Sequence, residues 1–122
     1  MSKAFGRRMK ELRTAKGVTL REFCQANRFD PGNYSRLERG LFAPPQKEEL
    51  LAKYATALGL TRGSDAWLEF FDLAAASRGE IPTDLLADEE VVEKLPVLFR
   101  TLRGCPVTEE QLDGLVDKIT RR

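Results

Sequence analysis

The chain has 122 residues, of which 42% are hydrophobic and 32% charged, and its formal net charge at pH 7 is +1. This length fits one domain, or one small domain with an appendage, and the apolar fraction favours a folded core over disorder. With no histidine and two distant cysteines, Cys24 and Cys105, a Cys/His zinc site and a disulfide framework are excluded. No apolar run approaches the ~20 residues that span a membrane, and the N-terminus lacks the apolar stretch of a secretory signal, so we expect a cytoplasmic protein.

The first part of the chain carries helical patterns, and the alternation typical of strands is absent. Apolar side chains at helical spacing predict a first helix over about 3–16. A Thr-Leu-Arg-Glu capping box predicts a second, short helix over about 19–28. Asp30 as N-cap, with Pro31 at the first helical position, predicts a third helix over about 31–39.

Two more helices are predicted before residue 80. Apolar residues at helical spacing mark a fourth helix, namely Leu50, Leu51, Tyr54, Ala55 and Leu58. The same spacing marks a fifth helix, at Trp67, Phe70, Phe71 and Ala74. We interpret the aromatic residues of the fifth helix as core rather than as a ligand anchor. Cys24 fits a small core site on the second helix, where a free cysteine packs well.

A Glu-Ile-Pro-Thr linker separates two predicted domains, 1–79 and 80–122. In the second domain, apolar side chains predict a helix over about 88–103, which Pro96 kinks or interrupts, and a last helix over about 109–120. These two helices cannot bury all their apolar side chains on each other, so we expect a surface for dimerisation or for another protein. The residues of that surface are Val91, Val92, Leu95, Leu98, Phe99, Leu102, Leu112, Leu115, Val116 and Ile119.

Charge is distributed unevenly along the chain. Residues 1–40 contain ten basic and four acidic side chains, a net charge of +6, whereas residues 41–79 carry −1 and residues 80–122 carry −4. A basic head before an acidic tail suggests an anionic partner for the head. A merely solvated basic face is the alternative that charge alone leaves open.

The second and third predicted helices, joined by a tight turn in the basic part of the chain, have the layout of a helix-turn-helix. Such a motif places its second helix in the major groove, so that helix needs one apolar side for the core and one polar side for the bases. The third helix meets this requirement, because Tyr34 and Leu37 can point inward while Gly32, Asn33 and Arg36 point outward.

Over about residues 3–60 the chain resembles the DNA-binding domain of the phage repressor and Cro type, the Xre family. The resemblance rests on sequence stretches that occur in register, at residues 5–13, 16–23 and 35–40, then Pro44-Pro45 and residues 55–60. It implies a five-helix domain whose third helix reads double-stranded DNA, commonly as a two-fold dimer on a palindromic operator.

The resemblance also implies roles for individual residues. Gly32, Asn33 and Arg36 fall where the family contacts bases, and there Arg36 could pair with guanine and Asn33 with adenine. Phosphate contacts, which position the protein without reading sequence, are implied for Arg7, Arg8, Lys10, Arg28, Ser35 and Arg39. Arg13 and Glu38 match positions that form a buried ion pair between the first and third helices.

Three features depart from the family pattern. Leu20 stands where many members have a glutamine that meets a phosphate. The turn before the third helix has Arg28 in place of the usual glycine, and because asparagine tolerates a left-handed conformation, the sequence favours a shift of the turn onto Asn27. Pro31 and Gly32 supply little side chain at the start of the third helix, so we expect modest direct readout.

The sequence therefore predicts an all-α, non-enzymatic protein that regulates transcription, as a dimeric repressor, without cofactor or metal. Two alternatives stay open. The chain could be an antitoxin that binds a toxin protein through residues 80–122 and represses its own operon, or an interaction module that has lost affinity for DNA. An enzyme is the weakest reading, because the chain has no histidine, no glycine-rich phosphate loop and no cluster of metal ligands.

Overall fold

The computed structural model describes residues 3–104, and these residues form seven α-helices without any strand. The helices are α1 (Ala4–Ala15), α2 (Leu20–Asn27), α3 (Pro31–Glu38), α4 (Glu48–Ala57), α5 (Asp65–Ser77), α6 (Thr83–Leu86) and α7 (Glu89–Gly104). The predicted fold class, an all-α chain with a five-helix repressor-like domain followed by C-terminal helices, is therefore confirmed. Cys105, the predicted helix over 109–120 and its apolar residues lie outside the described residues.

Local sequence signals define where the helices of the first part begin. At the start of α2, the Thr19 hydroxyl accepts a hydrogen bond from the Glu22 backbone N–H at 3.1 Å, and the Glu22 carboxylate accepts one from the Thr19 N–H at 3.3 Å. At the start of α3, the Asp30 carboxylate accepts a hydrogen bond from the Asn33 N–H at 2.9 Å. These caps satisfy amides that have no partner inside the helix, so both helices begin where the sequence predicts.

The turn between α2 and α3 corrects one expectation. The left-handed residue is Arg28, with φ 57° and ψ 40°, and not Asn27. Asn27 stays helical, because its side-chain amide donates a hydrogen bond to the Phe23 carbonyl one turn earlier, at 2.8 Å. The conformation at Arg28 lets the Phe29 N–H reach the Cys24 carbonyl at 2.9 Å. A left-handed arginine costs roughly 1–2 kcal/mol, which the packing of the neighbouring residues offsets.

Residues 1–80 form one compact unit, in which α1 packs against α3 and α5. Its core is rich in aromatic rings, and Phe5 of α1 lies 4.9 Å from Phe70 of α5, measured between ring centroids. Trp67 and Phe70 are buried and Phe71 is half-buried, so their interpretation as core residues is confirmed. Cys24 is fully buried, as predicted.

A second unit begins at residue 81, and the structure describes its helices α6 and α7. Helix α7 continues through Pro96, so a new helix does not begin there. Val91 and Leu95 are buried and Leu98 and Phe99 are half-buried. Within 81–104, the part of this unit that the structure describes, five large apolar side chains are exposed, namely Leu85, Leu86, Val92, Val97 and Leu102. Among the described helices, none combines the length and apolar character needed to cross a membrane.

Candidate nucleic-acid interface

The inner side of α3 is held by packing against α1 and α2. Tyr34 is 1% exposed, and its ring centroid lies 5.1 Å from that of Phe23 and 5.8 Å from that of Tyr54. Leu37 is buried beside it. Burial raises the pKa of the Tyr34 hydroxyl, so this group stays neutral in the core. These contacts determine which side of α3 faces outward.

The outer side of α3 presents the three residues for which base contacts are predicted. Gly32, Asn33 and Arg36 are all exposed. The Arg36 guanidinium donates a hydrogen bond to the Asn33 side-chain oxygen at 3.4 Å, so the two polar groups lie together on one surface. A Cβ added to Gly32 would lie 3.5 Å from the Arg36 guanidinium, which is an ordinary van der Waals contact.

A buried ion pair joins α1 to the end of α3. The Arg13 Nε donates a hydrogen bond to one Glu38 carboxylate oxygen at 2.7 Å, and its Nη2 donates to the other oxygen at 3.0 Å. The third nitrogen of Arg13 donates to the Val18 carbonyl at 2.9 Å, just before α2 begins. The hydrogen bond to Glu38 raises the pKa of Arg13. One planar guanidinium therefore links three segments, and it sets the position of α3 relative to α1.

Gly6 provides a second link between α1 and α3, which sequence analysis did not single out. A Cβ at this position would lie 2.1 Å from the Leu37 carbonyl oxygen and 2.6 Å from that of Glu38. Such distances leave no room for a side chain, so only glycine allows the two backbones to approach this closely. Helical periodicity could not reveal this role, because the restriction comes from a residue 31 positions away in sequence.

A basic groove of about 700 Å³ lies between α1 and the end of α3. Besides Arg13, four cationic side chains line it, namely Lys3, Arg7, Lys10 and Arg39. The rest of its wall is formed by Leu20, Ser35, Leu41 and the Arg13–Glu38 pair. The structure thus brings together four of the six residues for which phosphate contacts are predicted, Arg7, Lys10, Ser35 and Arg39. Lys3 also lines the groove. It lies just before α1, and no helical pattern in the sequence indicates this role.

The other two predicted phosphate residues lie outside the basic groove. Arg8 is half-buried on α1, and its guanidinium forms an ion pair with the Glu11 carboxylate at 3.4 Å. Arg28 is exposed at the left-handed position before α3. A phosphate backbone that meets Arg28 would therefore do so at the turn, and not together with the cations of the groove.

Leu41 and Phe42, in the loop after α3, are exposed by 55% and 44%. The Arg36 guanidinium lies over the Phe42 ring, 5.6 Å from its centroid. An aromatic ring therefore stands next to the side chain predicted to read guanine. Its position could not be predicted from the sequence, because loop residues have no periodicity that indicates where their side chains point.

A comparison with protein families finds a model described as "Helix-turn-helix domain" that matches residues 4–67. The match begins with α1 and ends just inside α5, so it contains α2, the turn and α3. No significant match is found among curated proteins or among solved structures.

Proposed function

The chain belongs to the helix-turn-helix domain family, and from this membership we propose that it is a sequence-specific transcriptional regulator of the Xre type that reads double-stranded DNA with α3. Membership of this family gives the chain a DNA-binding domain. The observation that carries the finer proposal is the solvent-facing polar side of α3, where Gly32, Asn33 and Arg36 are exposed, on a helix whose end lines the basic groove. A helix with one buried and one polar side is what major-groove recognition requires.

Base reading is assigned to two side chains on this surface. Arg36 pairs with the O6 and N7 acceptors of a guanine, and Asn33 pairs with an adenine. Gly32 allows the start of α3 to approach the bases. With two reading side chains and one glycine, a half-site of few specified base pairs is expected, each good pair contributing ~1–3 kcal/mol of discrimination.

The phosphates are assigned to the cationic residues around α3. Arg7, Lys10, Ser35 and Arg39 hold one stretch of DNA backbone in the basic groove, and Lys3 adds to the same positive potential. Arg28 at the turn and Arg8 on α1 contact phosphates elsewhere along the duplex. Such contacts determine orientation on the DNA and supply most of the affinity that does not depend on sequence.

The active form is a two-fold dimer on a palindromic operator. Half-sites one helical turn apart, ~34 Å, require a symmetric contact that sets the distance between the two reading helices. Residues 80–122 are proposed as a separate domain that supplies this contact, with Val92 and Leu102 among its exposed apolar residues. Bound at an operator, the dimer excludes other proteins from the same DNA and so acts as a repressor.

A salt titration of the full chain tests this proposal. A duplex enriched from a random pool is titrated with protein at several salt concentrations. If Arg7, Arg8, Lys10, Arg28 and Arg39 each neutralise a phosphate, log K falls with log salt with a slope of about −4 to −5 per protomer, because each contact releases counterions. A flat dependence contradicts the proposal and favours a protein-interaction module without affinity for DNA.

The exposed apolar residues of an acidic tail favour a second candidate function, that of an antitoxin. In this case residues 80–122 bind a toxin protein, and the helix-turn-helix represses the operon that encodes both. Purification from the native host distinguishes the two candidates. A small basic protein encoded by the adjacent gene co-purifies with an antitoxin, whereas isolation as a dimer without a second protein contradicts this function.

A further inference from the structure

The loop after α3 begins with a tightly hydrogen-bonded helix end. Gly40 is left-handed, with φ +73°, and its N–H bonds to the Leu37 carbonyl at 3.1 Å. The next N–H, that of Leu41, reaches back to the Arg36 carbonyl at 2.8 Å. This pair of bonds is a Schellman motif, which turns the chain sharply where a helix ends. It brings residues 41 and 42 back beside the last turn of α3.

The other end of this loop is also held. Pro44 is buried, and the Pro45 carbonyl accepts a hydrogen bond from the Arg78 guanidinium at 2.6 Å. Arg78 is itself held by the Glu80 carboxylate, whose oxygen lies 3.1 Å from its Nη2. Phe42 therefore sits on a short segment between two fixed points, and its ring has a defined place next to α3.

Two groups hold the Arg36 guanidinium from different directions. The Phe42 ring lies 5.6 Å away, measured from its centroid to the central carbon of the guanidinium. The Asn33 oxygen lies 3.4 Å from Nη1. A cation over a ring face is attracted by the electrons of the ring, while its N–H donors, which lie in the guanidinium plane, stay available. Phe42 is also 44% exposed, so this residue is accessible from solvent.

We propose that Phe42 is a specificity-determining residue, which orients Arg36 toward a guanine and contacts the methyl group of a neighbouring thymine. The inference rests on the proposed function, since it extends the reading surface of α3 to the following loop. A planar guanidinium that is already oriented loses less rotamer freedom when it pairs with O6 and N7. The exposed ring supplies the apolar surface that suits a thymine methyl in the major groove.

The test measures binding of the full chain to the enriched duplex and to versions of this duplex in which one base is modified. Replacing each thymine in turn by uracil removes only its methyl group. Replacing the guanine by 7-deazaguanine removes only the N7 acceptor. We expect wild-type protein to bind one uracil-containing duplex about fourfold more weakly, and Phe42→Ala to bind it as well as the parent duplex. The loss caused by 7-deazaguanine should be about two- to fivefold smaller in Phe42→Ala than in wild type.

Leu68→Ala is the matched control, because Leu68 is an apolar residue of similar exposure that lies on α5 and does not line the basic groove. It should keep both responses of the wild type. Phe42→Leu should keep part of the response to uracil but lose the coupling to 7-deazaguanine, because leucine is apolar and has no aromatic ring. The salt slope should stay unchanged in all three variants, since none alters a charge, and thermal unfolding checks that each is folded.

The outcomes separate this inference from the proposed function. If wild-type protein prefers its operator but Phe42→Ala keeps both DNA responses, the inference is overturned and the proposed function stands. The inference is equally overturned if no thymine responds to loss of its methyl group. If wild-type protein binds all duplexes alike, or with no salt dependence, the proposed function fails and the inference fails with it.

Discussion

The two sides of α3 differ in what determines their residues. On the inner side, Tyr34 is packed among aromatic rings and Leu37 is buried. Glu38 accepts two hydrogen bonds from the Arg13 guanidinium. On the outer side, Asn33 and Arg36 are exposed and contact each other and the following loop. The residues of the inner side therefore determine the position of the helix. Packing does not constrain the residues of the outer side, so their identity can be determined by what they bind.

This difference implies that substitutions can change stability and DNA recognition separately, although the inner and outer residues are interspersed along a helix of only eight residues. A substitution on the inner side should unfold the domain or displace α3. One on the outer side should leave unfolding unchanged and alter binding alone. If substitutions on both sides change unfolding and binding alike, the two sides do not differ in this way.

The largest effect is expected at the buried ion pair. Arg13→Ala leaves the Glu38 carboxylate buried without its partner, which should lower the free energy of unfolding by about 3–5 kcal/mol. Urea denaturation of the full chain measures it. The double variant Arg13→Met with Glu38→Leu should recover much of the loss, because no unpaired charge is then buried. A loss below ~1 kcal/mol for Arg13→Ala would contradict a structural role for the pair.

A smaller loss of stability is expected where the α1 and α3 backbones approach. Gly6→Ala should cost about 1–3 kcal/mol, because the added Cβ meets the Leu37 carbonyl and the helices must separate. Gly32→Ala is the matched control on the outer side, where the added Cβ has ordinary contacts of 3.4 Å or more. The control should be neutral or slightly stabilising, since alanine favours a helix by up to ~1 kcal/mol. An equal loss of unfolding free energy in Gly6→Ala and Gly32→Ala would contradict this difference between the inner and outer sides of α3.

The outer side should show its effect in binding alone. Arg36→Ala should lose about 1–3 kcal/mol of discrimination between guanine and the other bases, while its free energy of unfolding changes by less than ~0.5 kcal/mol. Arg39→Ala, in the basic groove, should instead weaken binding to all duplexes alike and make the salt slope shallower by about 0.9. Competition binding against random duplexes at two salt concentrations separates these outcomes. A sequence preference that survives in Arg36→Ala would remove this residue from the reading surface.

The sequence by itself determined the helices of the first unit and the two-sided character of α3. These features depend on neighbours within about four residues, such as the Thr19 capping box, the Asp30 cap and the spacing of Tyr34 and Leu37. The resemblance added the pairing of Arg13 with Glu38 and the residues for which base contacts are proposed. Such signals can be read along the chain, because they arise from hydrogen bonds and periodicity within single helices.

Only the tertiary structure decided how these helices meet. It placed the left-handed turn at Arg28 despite the intrinsic preference of Asn27, because the hydrogen bond from Phe29 and the packing around it outweigh the propensity of one residue. It also brought the α3 backbone so close to Gly6 that a side chain there has no room, and it placed Lys3 in the lining of the basic groove. These outcomes depend on residues far apart in sequence, and the position of Phe42 beside Arg36 depends on a loop anchored at both ends, so no local pattern predicts them.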